Sequence, residues 1–171
     1  MLNGERVVLR AMERADLHAL HSQLNDLEVE SRASGGRPVP VTLAELEARF
    51  DARAAAGEPG VIRFVISVGG MVVGSIQLHT FDDYALTCHV GIALDRTHWG
   101  RGYGSESLAL LLDYVFTHLN IRKVCLEVLA DDERAVGSYR KVGFVEEGRF
   151  RLQAFHQGEY RDVLRMAAFA P

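Results

Sequence analysis

The chain has 171 residues, of which 48% are apolar and 25% charged, and these values are typical of one globular domain rather than of a disordered chain. A formal net charge of −4 and a pI near 6.0 argue against a dedicated nucleic-acid-binding protein. Cys88 and Cys125 cannot form a disulfide framework, so we interpret them as reduced thiols. With no secretory signal and no long apolar run, the sequence predicts a cytoplasmic protein without a membrane span.

The first third of the chain predicts one strand and two helices. Arg6–Met12 reads as a strand, and leucines three and four residues apart predict a helix over Asp16–Asn25. Glycine, serine and proline predict a loop over Ser31–Pro40. Thr42, with a glutamate three residues later, forms a capping box that starts a second helix, which we expect to end at Gly57–Gly60.

The middle of the chain predicts an antiparallel meander. Val61–Val68 and Met71–His79 flank Gly69–Gly70, a two-residue turn typical of a hairpin. Leu86–Leu94 adds a third strand-like run. We therefore expect three consecutive strands that pair with their neighbours in sequence.

The last third alternates between helices and strands. A helix starting near Ser105 has one wide apolar face, formed by Leu108, Leu111, Leu112, Val115, Phe116 and Leu119. Lys123–Leu129 reads as a strand, Asp132–Val142 as a short helix, and Phe144–Glu147 and Asp162–Phe169 as closing strands. This order predicts an α+β fold with a mixed sheet and a helix inserted after the meander.

A glycine-rich segment, Trp99–Ser105, joins the third meander strand to the long helix. Its alternate glycines leave backbone N–H groups unshielded, and a helix N-terminus adds orphan donors and partial positive charge. Together they suit a pyrophosphate, with Arg96 and Arg101 as further contacts. The segment lacks the lysine of a Walker loop and the third glycine of a dinucleotide fingerprint. Taken alone, it could equally be a glycine turn without a ligand.

Three segments in order along the chain resemble the GNAT superfamily of N-acetyltransferases. Trp99–Gly104 is similar to its acyl-CoA signature, with tryptophan where glutamine or arginine is usual. Ala135–Phe144 resembles the motif Asn-x-x-Ala-x-x-x-Tyr-x-x-x-Gly-Phe, with Asp132 in the asparagine position. Phe155–Val163 resembles the closing hairpin of the Rim-type ribosomal-protein acetyltransferases and the spermidine acetyltransferases. The resemblance implies a single GNAT domain over residues 1–171, with about six to seven strands and helices on both faces of the sheet.

The resemblance also implies acetyl-CoA as co-substrate, bound where the strand before the glycine loop splays from its neighbour. The Leu94 N–H would face the thioester oxygen, where a hydrogen-bond donor stabilises developing negative charge. Tyr139 would be the general acid that protonates the departing thiolate; the alternative is a half-buried core tyrosine. The implied cofactor-binding residues are Ile92, Ala93, Leu94, Trp99, Gly100, Arg101, Gly102, Tyr103, Gly104, Ser105, Asp132 and Tyr139.

The general base is left open by the sequence. His89 shares a strand face with Gly91 and Ala93, and an imidazole that titrates near pH 6.5 could accept the amine proton. The alternative is a strand histidine satisfied by a neighbour, and Glu127 on the adjacent strand is a weaker candidate. Histidine and cysteine spacings do not match those of a metal site, so we expect none.

The amine acceptor is the least determined feature. We expect the loops Glu30–Pro40, Phe81–Tyr84 and Phe155–Tyr160 to select it. A protein N-terminal α-amine requires less deprotonation than a lysine- or polyamine-type amine does, so a poorly defined base favours an α-amine. We therefore expect a protein N-terminal α-amine or a small amine, with a polyamine or an antibiotic as alternatives. Glu28 and Glu30 are compatible with a polyamine. A different class also stays open, a catalytically silent module that binds acyl-CoA. A homodimer could form through an edge strand or the closing hairpin, and we expect no nucleic-acid or membrane partner.

Overall fold

The structure, a computed structural model, describes residues 1–33 and 36–171 and contains one eight-stranded mixed sheet. The sheet order is β1-β2-β3-β4-β5-β6-β8-β7. All paired neighbours run antiparallel except β5 and β6, which are parallel. The strands are β1 (Leu2–Asn3), β2 (Val7–Arg10), β3 (Ile62–Val68), β4 (Met71–Asp82), β5 (Thr87–Leu94), β6 (Lys123–Leu129), β7 (Val145–His156) and β8 (Glu159–Phe169).

Five α-helices connect these strands, and the chain's polar residues define several of their ends. The helices are α1 (Leu17–Leu24), α2 (Leu27–Ala33), α3 (Leu43–Ala56), α4 (Tyr103–His118) and α5 (Glu133–Lys141). The predicted capping box starts α3, because the Thr42 side chain accepts from the Glu45 N–H and the Glu45 carboxylate accepts from the Thr42 N–H. Asp132 caps α5 through a bond from the Ala135 N–H.

The helices cover both faces of the sheet, as predicted. Leu108, Leu111 and Val115 of α4 belong to the larger core cluster, which also contains Val7 and Ile76 of the sheet. On the opposite face a smaller cluster joins Leu17 and Leu20 of α1, Leu46 of α3 and Val65 of β3. Burial of these apolar faces fixes which side chains of each strand point to α4 and which to α1 and α3.

One seam of the sheet opens. β5 pairs with β6 only at its start, where Thr87, Cys88 and His89 oppose Lys123, Val124 and Cys125. Beyond His89 the two strands diverge, and β6 continues its pairing with β8 as far as Leu129 and Val163. In the described chain, the second half of β5 therefore faces a gap instead of a neighbouring strand. We call this opening the β5–β6 gap.

The α+β prediction is confirmed, and the predicted elements occur in the predicted order, but the structure adds β1 and α2, which were not predicted, and lengthens one strand. The strand that was not predicted is β1, because its two residues are too few to show an alternating pattern. The predicted loop Ser31–Pro40 overlaps the end of α2, while Ser34 and Gly35 lie outside the described residues. The strand expected at Phe144–Glu147 is much longer, because β7 and β8 form an extended hairpin. In the described ranges we find no helix that could serve as a membrane span.

Candidate active site

The backbone of β5 presents hydrogen-bonding groups to the β5–β6 gap. The Asp95 N–H donates to the Val73 carbonyl at 2.9 Å. Bonded pairs recur at every second residue of an antiparallel ladder, so Ala93 directs its backbone groups toward β4. By the same alternation, Ile92 and Leu94 direct theirs toward the gap. Ala93 can therefore line the site through its side chain, whereas Ile92 and Leu94 can offer peptide groups.

A glycine on β4 allows β5 to lie in this position. A Cβ added at Gly74 would lie 2.3 Å from the Ala93 carbonyl oxygen and 3.0 Å from the Leu94 Cα. Real Cβ atoms do not approach backbone so closely, and the backbone of a central strand has little room to move. Gly74 is thus a structural requirement for the shape of the gap, and the sequence analysis did not identify it.

The glycine loop leads directly from the gap into α4. Gly100 and Gly102 have positive φ of 73° and 84°, a conformation that glycine adopts without strain. Helix α4 begins at Tyr103, two residues before the predicted start, and Gly102 provides no capping side chain. The first N–H groups of α4 are therefore unshielded, as an anion site requires. Ser105 lies inside the first turn of the helix.

Trp99 anchors the loop through its indole N–H, a group that the usual glutamine or arginine lacks. Its indole N–H donates to the Leu94 carbonyl at 2.9 Å, which ties the loop to the end of β5. The Arg134 guanidinium lies 4.1 Å from the Trp99 ring centre. Trp99 therefore occupies one wall of the gap and uses one of the β5 carbonyls that face it.

Arg6 approaches the loop from the N-terminal strand region, and the sequence did not point to it. Its guanidinium donates to the Arg101 carbonyl at 3.0 Å and pairs with Glu106 at 3.0 Å. It also lies 5.3 Å from the Tyr103 ring centre, and a Cβ at Gly102 would be 3.2 Å from its Nη2. Arg6 thus adds positive charge beside the unshielded end of α4.

Tyr139 lies on α5 at the junction of the gap with the cavities described below. Its ring packs edge-on against Phe144, with centroids 5.9 Å apart, and it lines the gap together with Ile92 and Leu94. Burial, with a smaller contribution from the Asp132 carboxylate, raises the pKa of Tyr139 to about 12. The phenol therefore keeps its proton at neutral pH, which is the state that a general acid needs.

Asp132 is engaged within the protein. One carboxylate oxygen accepts from the Ala135 N–H at 3.0 Å, and the other accepts from Arg32 at 3.1 Å. Arg32 also pairs with Glu28 at 2.8 Å, and Gln157 of the β7–β8 hairpin donates to Glu28 at 2.9 Å. These bonds fasten α2 over the gap, and Asp132 both caps α5 and anchors Arg32.

Two histidines line a cavity of about 310 Å³ beside Gly91, which we call the histidine cavity. His89 of β5 and His79 of β4 oppose each other across the strand pair, with ring centroids 5.8 Å apart. Glu127 and Tyr139 line the same cavity. The predicted candidates His89, Glu127 and Tyr139 are therefore brought together, and His79 joins them. The signal for His79 lay in the register of the β4–β5 pair, which sets that residue opposite His89.

His79 Nε2 lies over Gly91, the residue that precedes Ile92 on β5. A Cβ placed at Gly91, next to Ile92, would be 3.8 Å from His79 Nε2. The other ring nitrogen, Nδ1, lies 2.8 Å from the Thr80 hydroxyl. Thr80 has a φ of 52°, rare for a β-branched residue, at a register shift in β4. Burial lowers the pKa of both histidines, with further lowering from Arg63 at His79 and from Arg165 at His89.

A second cavity, of about 280 Å³, lies between α1, α2, α3 and the sheet, and we call it the helical cavity. It shares Gly91 and Ile92 with the histidine cavity, so the two meet at the gap. Its polar lining residues are Gln23, Glu30, Arg53, Arg63, Ser75 and Gln77. Of the loops expected to select the acceptor, Glu30–Pro40 contributes to these two cavities through residues 30–33. Among the described lining residues, none comes from 81–84 or 155–160.

Neither cysteine lies free to react. Cys88 and Cys125 are buried and unbonded to each other, and burial raises the pKa of the Cys88 thiol to about 12. Within residues 1–33 and 36–171, no cluster of three histidine, cysteine, aspartate or glutamate side chains could hold a metal ion.

Comparison with known proteins agrees with this architecture. Residues 6–145 match the family described as Acetyltransferase (GNAT) domain. Spermidine N(1)-acetyltransferase of Escherichia coli K12 is 30% identical over 169 residues, covering 99% of this chain and 89% of the relative. The enzyme of the same name from Vibrio cholerae is 30% identical over 164 residues, covering 95% of this chain and 92% of the relative.

A solved structure extends the similarity to three dimensions. The spermidine N-acetyltransferase from Vibrio cholerae in complex with CoA and spermine superposes with a TM-score of 0.86 at 29% identity. The match covers 97% of this chain and 96% of that one. The chain therefore belongs to the GNAT family of acetyl-CoA-dependent N-acetyltransferases.

Proposed function

We propose that the chain transfers the acetyl group of acetyl-CoA to a small primary amine or an N-terminal α-amine by direct attack on the thioester. The observation that carries this proposal is the β5–β6 gap, in which Ile92 and Leu94 lack a strand partner for their backbone groups. A pantetheine arm has amides that can pair with such groups as a neighbouring strand would. The gap therefore binds an extended amide-containing ligand and sets its position along β5.

The two ends of that ligand meet different groups. At one end the pyrophosphate lies on the glycine loop and the first N–H groups of α4, with Arg6 and Arg101 as cationic neighbours. At the other end, beside Gly91, the Ile92 N–H donates to the thioester oxygen and stabilises the negative charge that develops there. The Leu94 N–H, for which the sequence predicted this role, lies at the end of β5 nearest the glycine loop and pairs with the pantetheine arm instead. Holding both reactants at one junction makes the reaction effectively unimolecular.

The reaction needs a base for the amine and an acid for the leaving group. The neutral amine attacks the thioester carbon, the C–S bond breaks, and the nitrogen loses a proton. His79 accepts that proton because its Nε2 lies over Gly91, and His89 stands behind it in the histidine cavity. Tyr139 gives its proton to the thiolate and is reprotonated from solvent. The lowered pKa of each histidine keeps it neutral, and able to accept a proton, near pH 7.

The direct test measures free thiol released from acetyl-CoA with a panel of amines: spermidine, lysine, an aminoglycoside, and peptides with serine or alanine N-termini. Turnover with one acceptor class, together with a rise in melting temperature on adding acetyl-CoA, is the expected result. Acetyl-CoA binding without turnover of any acceptor would instead indicate the silent acyl-CoA-binding module. Absence of both binding and turnover would refute the proposal.

A polyamine acceptor is the second candidate, and two observations favour it. The relatives from Escherichia coli and Vibrio cholerae are named spermidine acetyltransferases, and one structure of the latter contains spermine. Glu28 and Glu30 also lie on α2, close to the gap. Glu28, however, is already bonded to Arg32 and Gln157. Spermidine in the amine panel tests this candidate directly against the Rim-type acceptor, an N-terminal peptide.

We also propose a cytoplasmic location and a homodimer. Two reduced, buried cysteines support the first. Support for the second comes from β7, which lies at the edge of the sheet and exposes Phe150, Leu152 and Phe155. Analytical ultracentrifugation of the wild type and of Phe155→Ser tests the dimer. A monomer at micromolar concentration would refute it.

A further inference from the structure

The helical cavity has apolar walls and polar ends of opposite charge. Its walls are formed by Leu17, Leu20, Leu24, Val29, Leu46 and Phe50. Glu30 lies at one end, on the helix that packs against β5 beside the gap. Arg53 and Arg63 lie at the other end, on α3 and β3. A molecule that fills the cavity therefore meets a carboxylate near the reacting centre and guanidinium groups away from it.

The guanidinium end carries an excess of positive charge. The Glu58 carboxylate contacts Arg53 Nε at 3.2 Å and Arg63 Nη2 at 3.5 Å. One carboxylate is thus shared between two guanidinium groups. Burial and the neighbouring Arg53 lower the pKa of Arg63, so an added anion at this end would find a charge that is only partly compensated.

Unused hydrogen-bond donors lie in the same cavity wall. Arg63 Nε and Gln23 Nε2 are buried and have no hydrogen-bond partner among the described residues. Gln23 is 5% exposed. Buried polar groups in native proteins are nearly always paired, and an unpaired donor costs free energy until a ligand or water accepts from it. Both residues can therefore donate to an oxygen of a bound molecule.

The sheet register fixes how far these donors lie from the gap. Arg63 opposes Gln77 on β4, and Gln77 opposes Gly91 on β5. Neighbouring strands are about 4.8 Å apart, so the Arg63 Cα is about 10 Å from the Cα of Gly91. An amine at Gly91 and an acceptor oxygen at Arg63 can thus belong to one small molecule.

From this arrangement we infer that the acceptor carries a primary amine and a carboxylate at opposite ends of an apolar body, as a short peptide or an ω-amino acid does. The inference rests on the proposed acetyl transfer and names its substrate class. The carboxylate binds Arg63 and Gln23, the apolar body lies against the leucines of α1 and α3, and the amine reaches the gap. A polyamine would instead place an ammonium against Arg63.

The test uses four amines of one chain length that differ in the end group: ε-aminocaproate, its amide, hexylamine and diaminohexane, with spermidine as a fifth probe. We expect kcat/KM for ε-aminocaproate to exceed that for diaminohexane by about tenfold or more, since a charge-assisted hydrogen bond replaces a repulsion. Preference for diaminohexane or spermidine would overturn the inference while leaving acetyl transfer intact. Absence of turnover with all five, while an acceptor of the amine panel is acetylated, would overturn the inference alone. Absence of turnover with both sets, together with absence of acetyl-CoA binding, would refute the proposed function itself.

Two variants identify the residue responsible. At pH 8, where His79 is neutral with or without Arg63, Arg63→Gln should lower kcat/KM for ε-aminocaproate by about ten- to hundredfold and change that for hexylamine by much less. Arg49→Gln removes the same charge from an exposed position of α3 outside the cavity, so it should change neither value. An equal loss for all probes in Arg63→Gln would overturn the assignment. If Arg63→Gln does not fold, Gln23→Leu provides a second test. It should lower kcat/KM for ε-aminocaproate by a smaller factor and leave the other amines unaffected.

Discussion

The β5–β6 gap and the helical cavity meet at Gly91 and Ile92, yet they are built in different ways. The gap is formed by backbone: peptide groups of β5, a glycine loop, and the first turn of α4. The helical cavity is formed by side chains from α1, α2, α3 and three strands. In the reaction that we propose, the donor is thus recognised by groups that every residue carries, and the acceptor by particular side chains.

This difference determines what substitution can do at each place. A backbone site is insensitive to most side-chain changes but fails when a Cβ intrudes or a strand moves. A side-chain site changes its preference residue by residue while the sheet stays intact. The four predictions below test the contrast, because backbone changes should abolish donor binding, whereas single side chains should change rate or affinity by limited factors.

Gly74→Val should give the largest effect. Its Cβ would overlap the Ala93 carbonyl oxygen, so β5 must shift and the gap lose its shape. We expect overpacking to cost about 1–3 kcal/mol of unfolding free energy. We also expect acetyl-CoA binding, followed by calorimetry, to disappear. Gly137→Ala, on α5 with open space around its Cβ, is the matched control and should be neutral or slightly stabilising. Retained acetyl-CoA affinity in Gly74→Val would contradict the backbone account of the gap.

His79→Gln should lower kcat/KM by about a hundredfold near neutral pH, the usual size of a general-base contribution. Burial lowers the pKa of His79, so the wild-type base stays neutral down to a pH below 6.5 and loses activity only under more acidic conditions. In His79→Gln that acidic fall should vanish, leaving the steady rise with pH of the free amine. The measurement is kcat/KM from pH 5 to pH 9.

The partner residue provides the control for that experiment. His89→Gln keeps the His79 ring and its bond to Thr80. We therefore expect kcat/KM to fall by less than about tenfold, and its decrease at acidic pH to be the same as in the wild type. The opposite ranking, with His89→Gln the more damaging, would assign the base to His89. That outcome would support the sequence-based prediction, in which His89 is the general base.

The contrast between the backbone-built gap and the side-chain-built helical cavity also explains how much of the structure the sequence could predict. The glycine loop and α4 are each one continuous stretch of sequence, so local spacing predicted them. Tyr139 also lies in a continuous segment, and the resemblance of that segment to a GNAT motif singled it out. Arg6 lies 95 residues from Arg101, whose carbonyl it bonds. Arg63 and Gln23 line the same cavity only once α1 has packed on the sheet. Such contacts depend on tertiary packing, which periodicity does not encode.

Two misjudged elements have local physical reasons. Helix α2 was missed because its last residues run into a segment rich in serine, glycine and proline, whose composition indicates a loop. The length of β7 was missed because it alternates little: nine of its twelve residues are exposed at the sheet edge. To predict the position of His79, the register of the β4–β5 pair would have to be known up to the shift that follows His79, beyond which simple alternation fails.

Tyr139→Phe should have a moderate effect. A thiolate whose parent thiol has a pKa near 8.5 leaves tolerably without help, so we expect kcat to fall about tenfold. Acetyl-CoA affinity should stay constant, because the ring and its packing on Phe144 are kept. Single-turnover thiol release, with binding measured in parallel, separates the two quantities. An unchanged kcat would show that Tyr139 is only a core tyrosine.

Arg6→Gln should give the smallest effect, since the backbone donors of the loop remain. Its guanidinium already donates to the Arg101 carbonyl and Glu106, and it is about half exposed. We therefore expect KM for acetyl-CoA to rise only about three- to tenfold with kcat unchanged, a loss of about 1 kcal/mol. The rise should shrink in high salt, because an exposed charge is screened. Arg101→Gln is the matched variant, and the two effects should be similar. A hundredfold rise in either would mean that side chains, not backbone, hold the phosphates, and the contrast between the gap and the helical cavity would fail on its donor side.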